Sequence, residues 1–109
     1  MDLNNFISKT FTPEVNMYSD EQINDLIDQF NEVGPAHQKA FIETDGFDPD
    51  WPIWYSDYLH EKVMDVLDVE FTKSELIYLL VAADLDHQDE APESDWQTYY
   101  ANFISESLG

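Results

Sequence analysis

The stretch "DWPIWYSDYLHE" (residues 50–61) returns near the C-terminus as "DWQTYYANFISE" (residues 95–106). In each copy an Asp-Trp pair comes first, and aromatic residues follow at steps of three and four. This spacing predicts an amphipathic helix whose aromatic stripe faces the core, so the two helices are expected to build one shared interior. The predicted stripes consist of Trp51, Trp54, Tyr55, Tyr58 and Leu59 in the first copy and Trp96, Tyr99, Tyr100, Phe103 and Ile104 in the second.

Capping signals mark where helices are expected to begin. Segments 19–22, 72–75 and 94–97 each have the pattern of a capping box, in which Ser or Thr is followed three residues later by Gln or Glu. Segment 48–52 places an acidic cap and an early proline before the first aromatic copy. Segment 2–7 is expected to form a brief helix that Asp2 caps.

Other stretches are expected to end helices. Gly34-Pro35 is expected to end the first long helix, and a short helix through Phe41 is expected to stop at Gly46. The acidic segment 84–94 is the best candidate for a loop, and 66–71 has only a weak strand pattern. The sequence therefore predicts an all-α fold, a compact bundle of five or six short helices without a sheet.

A second similarity lies upstream of each aromatic copy, because residues 18–27 resemble residues 71–80. Together the similarities suggest an internal repeat of a helix pair, 18–61 and 71–108, with pseudo-twofold packing. Convergence of two amphipathic helices on similar caps explains the same matches, because periodicity alone accounts for about half of them. Both explanations stay open at this point.

Length and composition predict a single domain, 1–109, with a core of its own. The hydrophobic share of 43% is too high for a disordered acidic tail, and the lack of cysteine excludes disulfides and thiolate zinc sites. The longest apolar run, 76–83, is too short to cross a bilayer, and the N-terminus lacks the basic and apolar regions of a signal peptide. We therefore expect a cytoplasmic protein without a membrane partner.

The charge of the chain is its most unusual property. It carries 24 acidic residues against four lysines and no arginine, for a net charge of −20. Such a charge repels nucleic acid and anionic lipid and favours basic proteins or cations. Averaged over the whole surface, the charge density is about threefold below that of duplex DNA, so imitation of DNA would require the acids to gather on one side.

Two predicted helices carry carboxylates along the face opposite their apolar residues. Four acids in each helix follow at steps of three or four, about 5–6 Å apart, without a lysine in the row. Neighbouring like charges cost about 0.2–0.5 kcal/mol per pair, which indicates either a binding function or a screening solvent. These candidate partner-binding residues, here called the acidic stripes, are Glu21, Asp25, Asp28 and Glu32 in one helix and Asp57, Glu61, Asp65 and Asp68 in the other.

In composition the chain resembles DNA-mimic inhibitors, which are small, acidic, aromatic-rich and helical. The resemblance covers the whole chain but includes no motif, so it assigns no residue a role. It implies docking on a basic protein, such as one that binds nucleic acid, without direct contact to nucleic acid. A merely solvated face explains the same stripes, as does adaptation of a whole organism to salt.

The alternative hypothesis is a metal-responsive domain that binds calcium. Segment 84–95 has 12 residues, with Asp84, Asp86 and Gln88 at the first, third and fifth positions and Asp95 at the last. This is the outline of an EF-hand loop. The loop would be degenerate, because Asp89 stands where the turn needs glycine.

No pattern in the sequence predicts catalysis. His60 opens a near match to a zinc-protease motif, but Met64 replaces the second histidine. His37 and His87 lie in other segments and are expected to be structural. The sequence has no cysteine nucleophile, glycine-rich phosphate loop or nucleophile elbow, so we expect a non-catalytic protein without a cofactor.

Overall fold

The computed structural model describes residues 17–108. It contains helices α1 (Asp20–Ala40), α2 (Trp51–Leu67), α3 (Lys73–Glu90) and α4 (Trp96–Leu108), with a 3-10 turn (Ile42–Thr44) after α1. No strand occurs within residues 17–108. The all-α prediction is confirmed, but the described part of the chain holds four α-helices rather than five or six. The helix predicted at 2–7 lies outside the described residues.

Helix α1 continues through Gly34 and Pro35, where the sequence predicted its end. Proline removes one backbone donor, yet Val33 before it and His37 after it are buried on the same face. Gly34 serves packing rather than termination, because a Cβ at this position would lie 3.1 Å from a ring carbon of Trp96. Burial of the next turn therefore outweighs the break that the Gly-Pro pair predicts.

Two connections also differ from the predictions. The short helix expected through Phe41 is only the 3-10 turn, and Asp45 ends it with a left-handed backbone (φ 57°). Of the segment 84–94, only residues 91–94 form a connection, because α3 runs to Glu90. Asp84 accepts a hydrogen bond from the Tyr100 hydroxyl of α4, so the first residue of this segment contacts the neighbouring helix.

Two of the predicted capping boxes are confirmed. Ser19 pairs reciprocally with Gln22 at the start of α1, and Thr72 pairs with Glu75 at the start of α3. The third was wrong, because the cap of α4 is Asp95, whose Oδ2 accepts the backbone N–H of Thr98 at 2.9 Å. A carboxylate here satisfies a free N–H group and complements the positive end of the helix dipole.

The helices form an antiparallel bundle in which α1 and α3 each pack between α2 and α4. Gln22 at the start of α1 donates to the Val66 carbonyl near the end of α2, and Tyr18 donates to the Leu108 carbonyl that ends α4. The buried core is mainly aliphatic. Its fully buried members include Leu26, Phe30, Val33, Leu59, Val63, Leu76, Leu80, Ala83, Ala101 and Ile104.

The aromatic stripes lie at the margin of this core rather than at its centre. Leu59 and Ile104 are buried as predicted, and Tyr100 is nearly so, but the other stripe members are half-buried. Trp51 and Trp96 are each the first residue of a helix, so the two copies begin at equivalent places. The origin of the two copies by duplication stays a prediction.

Candidate functional site

All eight carboxylates of the acidic stripes are exposed. The buried residues of α1 and α2 lie on the opposite faces of these helices, so the predicted separation of acid from apolar is confirmed for both. Because α1 and α2 are antiparallel neighbours, the two stripes run in opposite directions on adjacent helices, and Asp57 of the second stripe reaches the start of α3, where Lys73 lies. The geometry brings Glu21, at the start of one stripe, to the end of the bundle where Asp65 and Asp68 complete the other.

The lysines of residues 17–108 compensate little of this charge. The Lys73 Nζ lies 3.2 Å from the Asp57 Oδ1, and both side chains are mostly exposed, so the pair contributes about 0–1 kcal/mol. Lys62 instead covers the Tyr58 ring, with its Nζ 5.1 Å from the ring centroid. Apart from Asp57, no stripe carboxylate has a lysine partner among the described residues.

Carboxylates are not confined to the stripes. The connections and the end of α3 also expose acids, among them Glu43, Asp50, Asp89 and Glu93. Helix α4 is the least acidic element, with Glu106 as its only carboxylate. The acidic surface therefore extends over α1, α2 and the connections, and α4 interrupts it.

Helix α3 has an exposed apolar face that the sequence pattern does not predict. Tyr78, Val81 and Leu85 are exposed to 71%, 38% and 61%, and their spacing places them on one side of the helix. The run at 76–83 is therefore only partly core, because Leu76, Leu80 and Ala83 are its buried members. A helix that is apolar on both sides gives no amphipathic signal, so the sequence alone could not show which side is inside.

Three histidines fasten the connections of the bundle, each from the helix that precedes its connection. The Nε2 atoms of His37, His60 and His87 donate to the Asp48 carboxylate (3.0 Å), the Phe71 carbonyl (2.6 Å) and the Ser94 carbonyl (2.8 Å). These oxygens accept, so in each ring Nε2 carries a proton. The structural role expected for the histidines fits these bonds, but their shared pattern needed the tertiary structure.

The calcium hypothesis placed Asp84, Asp86, Gln88 and Asp95 on one loop, and the structure does not form that loop. The first three lie on α3, and Asp95 caps α4. Gln88 donates to Oδ2 of Asp84, so this pair is already bonded along the helix. Within residues 17–108 no group of three or more acids or histidines is arranged to hold a metal ion.

Two tyrosines of α4 use these acids as hydrogen-bond acceptors. Tyr99 donates to Asp86, which raises the pKa of the Tyr99 hydroxyl to about 12. Tyr100 donates to Asp84 at 2.8 Å, and burial followed by this bond raises the Tyr100 pKa. The backbone N–H of Thr98 lowers the pKa of Asp95. The acids of the calcium hypothesis therefore join α3 to α4 and cap α4.

The sequence matches no protein-family model, no curated protein and no solved structure. None of the described helices has the length and apolar character needed to cross a bilayer.

Proposed function

We propose that this chain is a non-catalytic binding module that docks on a basic protein surface through its acidic stripes. The observation that supports this most directly is the exposure of all eight stripe carboxylates, seven of them without a lysine partner among residues 17–108. Complementary charge of this kind accelerates encounter and selects basic partners more than it adds affinity. The expected association is therefore fast and salt-sensitive.

We expect the stripes to lower the stability of the isolated protein, which supports a role in binding a partner. Each neighbouring pair of like charges costs about 0.2–0.5 kcal/mol. Asp65 and Asp68 also lie at the negative C-terminal end of α2, where an acid is unfavourable. A basic partner would relieve both effects on binding.

The finer form of the proposal is that the partner surface normally binds nucleic acid. Two antiparallel rows of negative charge, with members about 5–6 Å apart along each helix, offer a pattern that phosphate-binding residues can engage. The carboxylate rows on α1 and α2, rather than the average surface charge, would imitate the phosphates of nucleic acid.

Charge reversal within the stripes tests the proposal. The triple variant Asp25→Lys, Glu32→Lys and Glu61→Lys changes exposed residues and disrupts five of the six neighbouring acid pairs. A matched control reverses Glu43, Glu93 and Glu106, which are exposed and lie outside the stripes. Both variants raise the net charge of −20 by the same amount.

The measurement is capture of host proteins at low salt, elution with a salt gradient, and repetition with the purified partner. We expect the stripe variant to lose the partner and the control to retain it. Equal loss of the partner from both variants would mean that net charge alone explains the interaction. This result is expected if the acidity is an adaptation to a salty environment. Displacement of the chain from its partner by a DNA or RNA duplex would support the nucleic-acid-mimic form, and retention would contradict it.

A further inference from the structure

A cleft of about 340 Å³ lies where both copies of the aromatic sequence meet the end of α3. None of the acidic-stripe carboxylates lines it, so it is separate from the proposed docking surface. Its volume is at the small end of the range for ligand sites, which suits a compact head group or one side chain. The lining residues are Trp51, Tyr55, Asp84, His87, Trp96 and Tyr100.

The four large rings of the cleft are the matching residues of the two copies. Trp51 and Tyr55 come from the first copy, with ring centroids 5.0 Å apart, and Trp96 and Tyr100 come from the second, 5.1 Å apart. Tyr55 and Trp96 join the pairs across 6.2 Å. Both tryptophans are half-buried, so part of each ring remains accessible from the solvent.

We propose that this cleft binds a methylated ammonium head group, either of a methylated lysine side chain or of a small quaternary amine. The faces of tryptophan and tyrosine rings are negative and attract a cation within about 6 Å. Asp84 adds a carboxylate to the same cleft. The surrounding protein, with a net charge of −20, raises the local concentration of cations.

The hydrogen bonds of the lining residues favour a methylated cation over an unmodified one. Tyr100 and Gln88 already donate to the two oxygens of Asp84, at 2.8 and 2.9 Å. The His87 Nε2 is engaged by the Ser94 carbonyl. A primary ammonium brings three donors that need acceptors, whereas a trimethylated one needs only ring faces and negative charge.

Helix dipoles weaken the attraction for a cation here, because Trp51 and Trp96 line the cleft from the positive N-terminal ends of α2 and α4. The negative C-terminal end of α3, just beyond His87, offsets part of this effect. The aromatic rings and Asp84 therefore have to supply the preference for a cation.

Titration of the full chain at physiological salt tests the proposal, with NMR signals of the indole N–H groups as the readout. The probes are choline, a peptide with one trimethyl-lysine, and the same peptide with unmodified lysine. We expect the signals of Trp51 and Trp96 to shift and that of Trp54, which does not line the cleft, to stay. Methylation is expected to tighten peptide binding about tenfold. Choline and peptide arms distinguish a small-molecule ligand from a protein side chain.

Two matched variants distinguish binding in the cleft from attraction by the general surface charge. Asp84→Asn removes the charge but keeps an acceptor for Tyr100, and Asp86→Asn makes the same change outside the cleft. We expect Asp84→Asn to weaken trimethyl-lysine binding several-fold and Asp86→Asn to leave it unchanged. Trp51→Leu removes a half-exposed ring and should abolish binding. Equal affinity for both peptides, or equal effects of the two Asn variants, would overturn the proposal.

Discussion

The Nε2 of His37 donates to the Oδ2 of Asp48 across 3.0 Å, and this bond fastens the connection between α1 and α2 to the bundle. The two side chains are only 8% and 10% exposed. The rings of Trp54 and Tyr55 meet the imidazole edge-on, at 5.2 and 5.4 Å between centroids. In the second half, His87 packs against Tyr99 and Tyr100, which occupy the same places in the aromatic sequence.

Removing Asp48, which accepts the hydrogen bond from His37, is expected to destabilise the fold. Asp48→Ala leaves a buried imidazole N–H without a partner, and we expect the free energy of unfolding to fall by about 1–3 kcal/mol. Asp48→Asn keeps an acceptor and should cost less. Urea denaturation measures both variants, and Glu43→Ala, at an exposed site on the same connection, is the control expected to stay within about 0.5 kcal/mol of the parent. Equal stability of Asp48→Ala and the parent would show that the bond contributes nothing.

Neighbouring substitutions inside α1 are expected to act in opposite directions. Pro35→Ala restores a backbone donor in a helix interior, and we expect it to stabilise the protein by about 1–3 kcal/mol. Gly34→Ala should destabilise instead, because the new Cβ would lie 3.1 Å from the Trp96 ring. The residue before a proline also avoids helical backbone when it carries a Cβ.

Thermal denaturation followed by circular dichroism measures both changes. In the double variant Gly34→Ala, Pro35→Ala, the backbone clash before proline is absent and only the contact with Trp96 remains. A stabilising Gly34→Ala would mean that the Trp96 ring moves aside and that helix propensity decides the outcome.

The acidic stripes are expected to make stability depend on salt. In low salt, the Asp25→Lys, Glu32→Lys, Glu61→Lys variant should be about 1–3 kcal/mol more stable than the parent, because it replaces repulsive neighbours by attractive ones. The difference should shrink as salt screens exposed charges. Chemical denaturation at several salt concentrations measures it, with the Glu43, Glu93, Glu106 reversal as the control of equal net charge. Loss of stability in the stripe variant would make the stripes structural and contradict the proposed function.

The hydrogen bond from Tyr99 to Asp86 is expected to make stability depend on pH in the alkaline range. The bond raises the pKa of the Tyr99 hydroxyl to about 12, from an ordinary value of 10.0. Because the folded pKa is the higher one, the stabilising contribution is complete below pH 10 and is lost as the pH rises through about 12. Asp86→Asn should return the ionisation of Tyr99 towards its ordinary range.

Ultraviolet absorbance of tyrosinate measures this titration, and subtraction of the Tyr99→Phe curve isolates the one residue. Asp89→Asn, a nearby exposed site, controls for the loss of charge. An unchanged Tyr99 titration in Asp86→Asn would mean that general negative potential, rather than the hydrogen bond, sets the pKa.

The candidate sites differ in how far local pattern could predict them. The stripes were readable from the sequence because carboxylates three and four residues apart share a helix face. The cleft was not, because helical spacing predicts that Trp51, Tyr55, Trp96 and Tyr100 face the core, and whether a ring is covered depends on a neighbouring helix. The exposed face of Tyr78, Val81 and Leu85 could not be predicted either. A helix that is apolar on all sides gives no indication of which side is buried.

The sequence by itself determined what depends on neighbours along the chain: the helical class, the caps at Ser19 and Thr72, and the separation of acids from apolar residues on α1 and α2. Only the tertiary structure decided that α1 passes through Pro35, that segment 84–90 is helix, and that the two aromatic copies line one cleft. The physical reason is that tertiary packing, such as the burial of Val33 and His37 around Pro35, outweighs unfavourable local propensities of about 1 kcal/mol for glycine and about 3 kcal/mol for proline.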